Sequence, residues 1–213
     1  MNLADVQKPW LPEAVIHRHA DNLRLQHFPD GKIPVDVLLL VEDMGIHLVP
    51  IPFLQQETGA PGCIAMNEDE ILVDQDVLMK PNRENYLRFT VAHELGHKIL
   101  HDNLITFLRE QAEGSVQRWN DLMVEYQRHD LAENFEWQAN EFAGHFLVPP
   151  HALAFALQPF LESLRQDAVR ASVFTVEQIA AFLAPRLNGR FQVSQEVMQI
   201  RMSKEPMIRA LFT

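Results

Sequence analysis

Apolar residues recur every three to four positions over most of the chain and alternate only over short stretches between Ile46 and Val73. That pattern predicts a mainly helical protein with a small sheet of about three strands. Pro9 and Pro12 flank the start of a helix from about Glu13 to Gln26, and the Pro29–Gly31 turn ends it. Val35 to Met44 reads as a second helix closed by Gly45, and Ile46 to Ile51 as a strand. Cys63–Met66 and Ile71–Val73 read as two more short strands, joined by the polar turn Asn67–Glu70.

From Asn85 to His101 there is no proline, and Leu87, Val91, Leu95 and Ile99 form an apolar stripe. His93 and His97 fall almost opposite it. Gly96 costs such a helix about 1 kcal/mol relative to Ala, so its presence predicts a close approach by another element. Residues 104 to 130 contain Trp119, Leu122, Met123 and Tyr126 at helical spacing, which predicts one packing helix, with a lid or docking helix as the alternative. Glu133 to Val148 reads as a helix whose stripe is Phe135, Ala139, Phe142 and Phe146. Past Pro149–Pro150, helices are expected over Ala152 to Arg165, from a Thr175 cap to near Leu187, and over Gln195 to Met202 after a Ser194 cap, with Asn188–Gly189 as the break. The last two could make a helix-turn-helix. Arg186, Arg190, Arg201 and Lys204 are too few to indicate DNA binding, and a bracing helical extension is the reading we favour.

The expected fold class is therefore α+β, mostly helical. The expected organisation is an N-terminal helical segment over 1–34, a main domain over 35–150 and a helical C-terminal extension over 151–213.

Composition narrows the function. With 213 residues, 47% of them apolar, the chain can build one core plus a small extension. Its one cysteine, Cys63, rules out an internal disulfide and suits a reducing cytosol, where it reads as a packing residue. No secretory leader is evident and Val37–Val41 is too short to span a bilayer, so a cytoplasmic location away from membranes is expected. A net charge of −11 argues against direct nucleic-acid binding but could attract a basic protein, of which a DNA-binding regulator is one kind.

Residues 93 to 97 read His-Glu-Leu-Gly-His. A helix turns about 100° per residue, so histidines at this spacing share a face and can grip one metal ion from adjacent turns. Glu94 lies beside that face, where it can take a proton from a water the ion activates. A catalytic zinc needs a third protein ligand. Asn103 stands where the longer zincin pattern has its third histidine. The candidates are His101, Glu133, Glu136, Glu141 and His145. Glu136 is the best placed, because Asn140 follows one turn later and could accept the second N–H of a ligating histidine. A solvated Glu136 on an amphipathic helix fits the spacing equally well.

RFTVAHELGHKILH (88–101) resembles the metal helix of the ImmA/IrrE metallopeptidases, and EWQANEFAGHFLVPP (136–150) resembles that family's second motif. GCIAMNEDEILVDQD (62–76) and FQVSQEVMQIRM (191–202) are similar to its hairpin and its later segment. The resemblance covers roughly residues 35 to 150 well. It implies a zincin-like fold, one zinc ion on His93, His97 and Glu136, and Glu94 as base. It also implies a protein substrate, in particular a separate DNA-binding transcriptional regulator such as a helix-turn-helix repressor. Two departures stand out. Many members have a second glutamate where this chain has Gln138, and the interval from His97 to Glu136 is longer than usual.

The expected activity is thus a zinc-dependent endopeptidase. Tyr86, Arg88, His101 and His145 are the candidates for stabilising the oxyanion. The alternative is a non-catalytic regulatory or adaptor protein whose metal is structural, with His101 closing the coordination.

Overall fold

The computed structural model describes residues 10–127, 132–166 and 174–210. Helix α1, Glu13–His27, buries Ile16, Ala20 and Leu23 on one face. Helix α2, Val37–Asp43, starts two residues later than predicted because the Asp36 carboxylate accepts from the Leu39 N–H and so sets the first turn. Three strands follow: β1 (His47–Ile51), β2 (Gly62–Ile64) and β3 (Glu70–Asp74). Their order is β1-β3-β2. β1 runs parallel to β3 with Leu48 opposite Ile71, and β2 runs antiparallel with Cys63 opposite Leu72. β2 is therefore an edge strand.

Two short helices escaped the pattern, α3 (Leu54–Thr58) and α4 (Gln75–Met79). One side chain begins both: Asp74 accepts from the backbone N–H of Gln55 and of Asp76, each at 3.0 Å. A short 3-10 turn, Pro81–Arg83, then leads into α5, Glu84–Leu100.

The bridge between the two motifs differs from the single packing helix expected. It forms two helices, α6 (Asp102–Ala112) and α7 (Val116–Gln127), and residues 128–130 of the predicted span lie outside the described residues. The chain reverses at Glu113 (φ 52°) and Gly114 (φ 78°), a left-handed pair that no helix interior accepts.

Helix α8, Ala132–Leu147, and helix α9, Pro150–Gln166, come next. Helix α10, Val176–Phe191, runs through Asn188–Gly189 instead of breaking there, and ends at Gln192 (φ 51°). Burial of Leu187, Phe191 and Val193 outweighs the weak helix propensity of Asn and Gly. Helix α11, Gln195–Lys204, is capped by Ser194, and α12, Pro206–Arg209, closes the described chain. Among the described residues no helix is long and apolar enough to cross a membrane.

The centre of the fold is the pair α5 and α8, whose stripes bring Leu87, Val91 and Leu95 together with Phe135, Phe142 and Phe146 in the buried core. α1 covers α8, and the sheet lies against α5 with β2 nearest. The α10–α11 turn is tied to α5 by Asn85, which donates to the Val193 carbonyl at 3.1 Å.

Candidate metal centre

Two glycines bring the site together. A Cβ on Gly96 would stand 3.2 Å from the Cα and the carbonyl oxygen of Ala139, so α5 and α8 meet there almost backbone to backbone. This is the close approach that the glycine predicts, and it sets Glu136 of α8 opposite the histidines of α5. A Cβ on Gly62 would stand 2.7 Å from the Thr90 side chain, so β2 too lies against α5 only because residue 62 has no side chain.

At the crossing, Nε2 of His93 lies 3.0 Å from Glu136 Oε2, and Nε2 of His97 lies 3.2 Å from Glu136 Oε1. The two Nε2 atoms are 3.0 Å apart. A tetrahedral zinc ion with bonds of about 2.0–2.1 Å spaces its ligands about 3.3 Å apart, close to these three edges. These three residues can offer donor atoms all within 4.8 Å of one another.

The outer nitrogens settle which atoms face inward. His93 Nδ1 lies 2.9 Å from Asn140 Oδ1, an acceptor, so Nδ1 carries a proton and Nε2 is the nitrogen turned toward Glu136. His97 Nδ1 lies 3.0 Å from His101 Nδ1, and His101 Nε2 lies 3.3 Å from Gln138 Oε1. Gln138 Oε1 can only accept, so His101 donates from Nε2 and accepts at Nδ1, and His97 must donate from Nδ1. Its Nε2 is then the nitrogen turned toward Glu136 as well. The Gln138 amide is itself oriented by donating to Asn134 Oδ1 at 3.4 Å. Burial, with the neighbouring His97, holds the His101 pKa down to about 3, in keeping with a neutral relay.

Two imidazole Nε2 atoms and a carboxylate thus converge, an arrangement that calls for positive charge among them, from a proton or from a cation. Burial pushes the Glu136 carboxyl up, but His93 and His97 outweigh it and hold the group well below the usual range. The donor set therefore fits a divalent metal of the zinc type. Glu94 is buried, and burial pushes its carboxyl above the ordinary value against the opposing pull of His93 and His97. It faces the backbone amide of Ile64 in β2.

All four residues line a cavity of about 560 Å³. Gly62, Cys63 and Ile64 of β2 form one wall, and the inner faces of α6 and α7 form another. Cys63 packs there as an inert thiol, since burial and Glu94 push its pKa up to about 12.

The remaining candidates divide. Tyr86 lines the cavity, and its hydroxyl accepts from Gln55 Nε2 at 3.0 Å. His101 also lines it, but both its nitrogens are engaged, so it has none left for an ion. Arg88 does not reach the cavity: it donates to the carbonyls of Val35 at 2.6 Å and Gln192 at 3.3 Å. His145 faces the far side of α8, where Nε2 lies 2.9 Å from Asp21 and Arg201 donates to Nδ1 at 3.2 Å. Glu141 lies in the same far cluster, paired with Arg201 at 2.7 Å, and Glu133 is exposed. Sequence reasoning treated Gln138 only as a lost ligand and missed its link to His101. It also missed the α6–α7 face, because an apolar stripe reads alike whether it meets a core or a cavity.

A peptidase family model described as the IrrE N-terminal-like domain (Peptidase_M78) matches residues 41–203, from the end of α2 into α11. A search of curated proteins gave no match.

Proposed function

The chain belongs to the IrrE N-terminal-like peptidase family, and we propose that it is a zinc-dependent endopeptidase in which His93, His97 and Glu136 hold the ion and Glu94 is the general base. The observation that carries this reading is the meeting of two imidazole Nε2 atoms and one carboxylate within 3.0–3.2 Å. Zinc held there supplies Lewis acidity, polarising a peptide carbonyl and easing the ionisation of an attacking water toward about pH 7.

The chain's own groups do the rest. Glu94 takes the proton of the attacking water and passes it to the leaving amide nitrogen. The free edge of β2 offers backbone groups to an extended peptide and so aligns the scissile bond over Glu94. The Tyr86 hydroxyl accepts from Gln55 and donates its O–H to the oxyanion.

The substrate we propose is a regulatory protein, a helix-turn-helix repressor encoded separately. Two things support this: the family resemblance, and a net charge of −11, which favours encounter with a basic DNA-binding protein. The test is to incubate zinc-loaded protein, and its Glu94→Gln variant, with the regulator encoded nearby. Cleavage by the first and not the second supports the proposal. An intact regulator, or equal cleavage by both, overturns it.

A further inference from the structure

The metal cavity borders a second cavity of about 430 Å³, and the two share Tyr86 and Phe89 of α5 and Asn140 of α8 as walls. The second cavity is closed on its other side by α11, through Val197 and Ile200, and Trp137 lines it from α8. Its walls are open to solvent: Ile200 is 50% exposed and Tyr86 37%, while Phe89, Trp137 and Val197 are half-buried. Large apolar side chains exposed singly are ordinary, but several of them gathered in one concavity mark a binding groove.

The charges in the groove are unevenly matched. Arg201 is buried at the floor, and its two terminal nitrogens reach Glu141 at 2.7 Å and His145 at 3.2 Å. Lys204 donates to Glu141 and, at 2.8 Å, to Glu13. Both cations are thus already met by carboxylates of the fold. Glu196 is different: it lines the groove, is exposed, and among the described residues has no ion-pair partner. It stands one helical turn before Ile200, so the open carboxylate and the most exposed apolar wall lie side by side on α11.

We propose that this groove binds a segment of the substrate next to the one aligned over Glu94, and that it takes a bulky apolar side chain flanked by a lysine or arginine, the apolar group among the walls and the cation against Glu196. This deepens the peptidase reading and rests on it. The shared walls make the groove continuous with the metal cavity, so one extended peptide can occupy both. The open carboxylate asks for a basic neighbour, in keeping with the basic regulator proposed as substrate. The C-terminal extension then contributes to specificity as well as bracing the fold.

The test begins with binding, not turnover. Zinc-loaded protein is titrated with acetyl-leucyl-lysine amide, acetyl-seryl-lysine amide and acetyl-leucyl-glutamate amide, following the Val197 and Ile200 methyl signals and the Trp137 indole N–H by NMR. The leucyl-lysine probe is expected to shift these signals. Exchange of its leucine for serine should weaken binding about tenfold, and exchange of its lysine for glutamate about two- to fivefold. Glu196→Gln should erase the second difference, and Ile200→Ser should weaken both leucine probes about fivefold; both positions are exposed, so neither variant disturbs the core. For a protein substrate that is cut, Ile200→Ser should raise KM and leave kcat little changed. Absence of shifts, a serine probe that binds as well as the leucine one, a lysine preference that survives Glu196→Gln, or an unchanged KM overturns the proposal. So do groove signals that move on dilution alone, which would assign the groove to a second copy of the chain, or on removal of residues 1–9, which would assign it to the chain's own N-terminus. A protein that binds the probes as expected but cuts no peptide contradicts the peptidase reading alone.

Discussion

Gly96 and Ala139 stand so close that a methyl group on Gly96 would meet the Ala139 Cα and carbonyl oxygen at 3.2 Å. Backbone atoms of a packed helix cannot move aside as a flexible side chain can. Gly96→Ala should therefore lose more by overpacking, about 1–3 kcal/mol, than the roughly 1 kcal/mol it gains in helix propensity. Because α8 carries Glu136, the same substitution should weaken zinc binding as well. Denaturant unfolding and zinc competition with a chromophoric chelator test both. A variant that is more stable and binds zinc normally would contradict the tight crossing.

The histidine supports predict a graded effect. Asn140→Ala frees Nδ1 of His93, and Gln138→Leu removes the acceptor that fixes His101 and, through it, His97. Each should weaken zinc binding about 10- to 100-fold while leaving the fold intact. Imidazole ¹⁵N spectra of the zinc-loaded protein should show His93 and His97 protonated at Nδ1. Unchanged zinc affinity in both variants would count against the relay.

Tyr86→Phe removes one hydroxyl donor from the cavity wall. If it serves the oxyanion, kcat should fall about 100-fold with KM and zinc content little changed. A fall in zinc content instead would assign Tyr86 a structural part.

Much of this site was legible in the sequence, for a physical reason. A helix face repeats on a fixed period, so α5 and α8 appear within about two residues of their predicted ends, and His93, His97, Glu136 and Asn140 fall on the faces that meet. Crossing geometry was not legible. Only the angle between α5 and α8 brings Gln138 to His101, and only their opposite sides send Arg88 and His145 away from the cavity. The α6–α7 division carried a signal in Gly114 that the Trp119–Tyr126 stripe obscured. The run of α10 through Asn188–Gly189 depended on tertiary burial, which propensity does not contain.

The far side of α8 predicts the acid response. His145 is buried against His17, and burial, followed by the charges of His17 and Arg201, lowers its pKa from 6.5 to about 4. Asp21 and His17 of α1 and Arg201 and Lys204 of α11 face this cluster, with Glu141 on α8 itself. A histidine whose folded pKa lies below its unfolded one gives up its proton on folding, so its stabilisation is complete above about pH 6.5 and is lost as pH falls toward 4. Glu141 acts in the same direction at lower pH: burial pushes its carboxyl up, but His17 and Lys204 hold it down, to about 2. Unfolding free energy should rise between pH 4 and 6.5, and His145→Gln should flatten that slope. An unchanged slope in the variant would contradict the assignment.

The metal centre itself is tested most directly by X-ray absorption at the zinc edge, on protein carrying one equivalent of zinc. The account predicts one tightly held ion with two imidazole nitrogens, one carboxylate oxygen and one solvent oxygen at about 2.0–2.1 Å, and loss of that ion in Glu136→Ala. A third imidazole in the shell, or the same shell and affinity after Glu136→Ala, would contradict it.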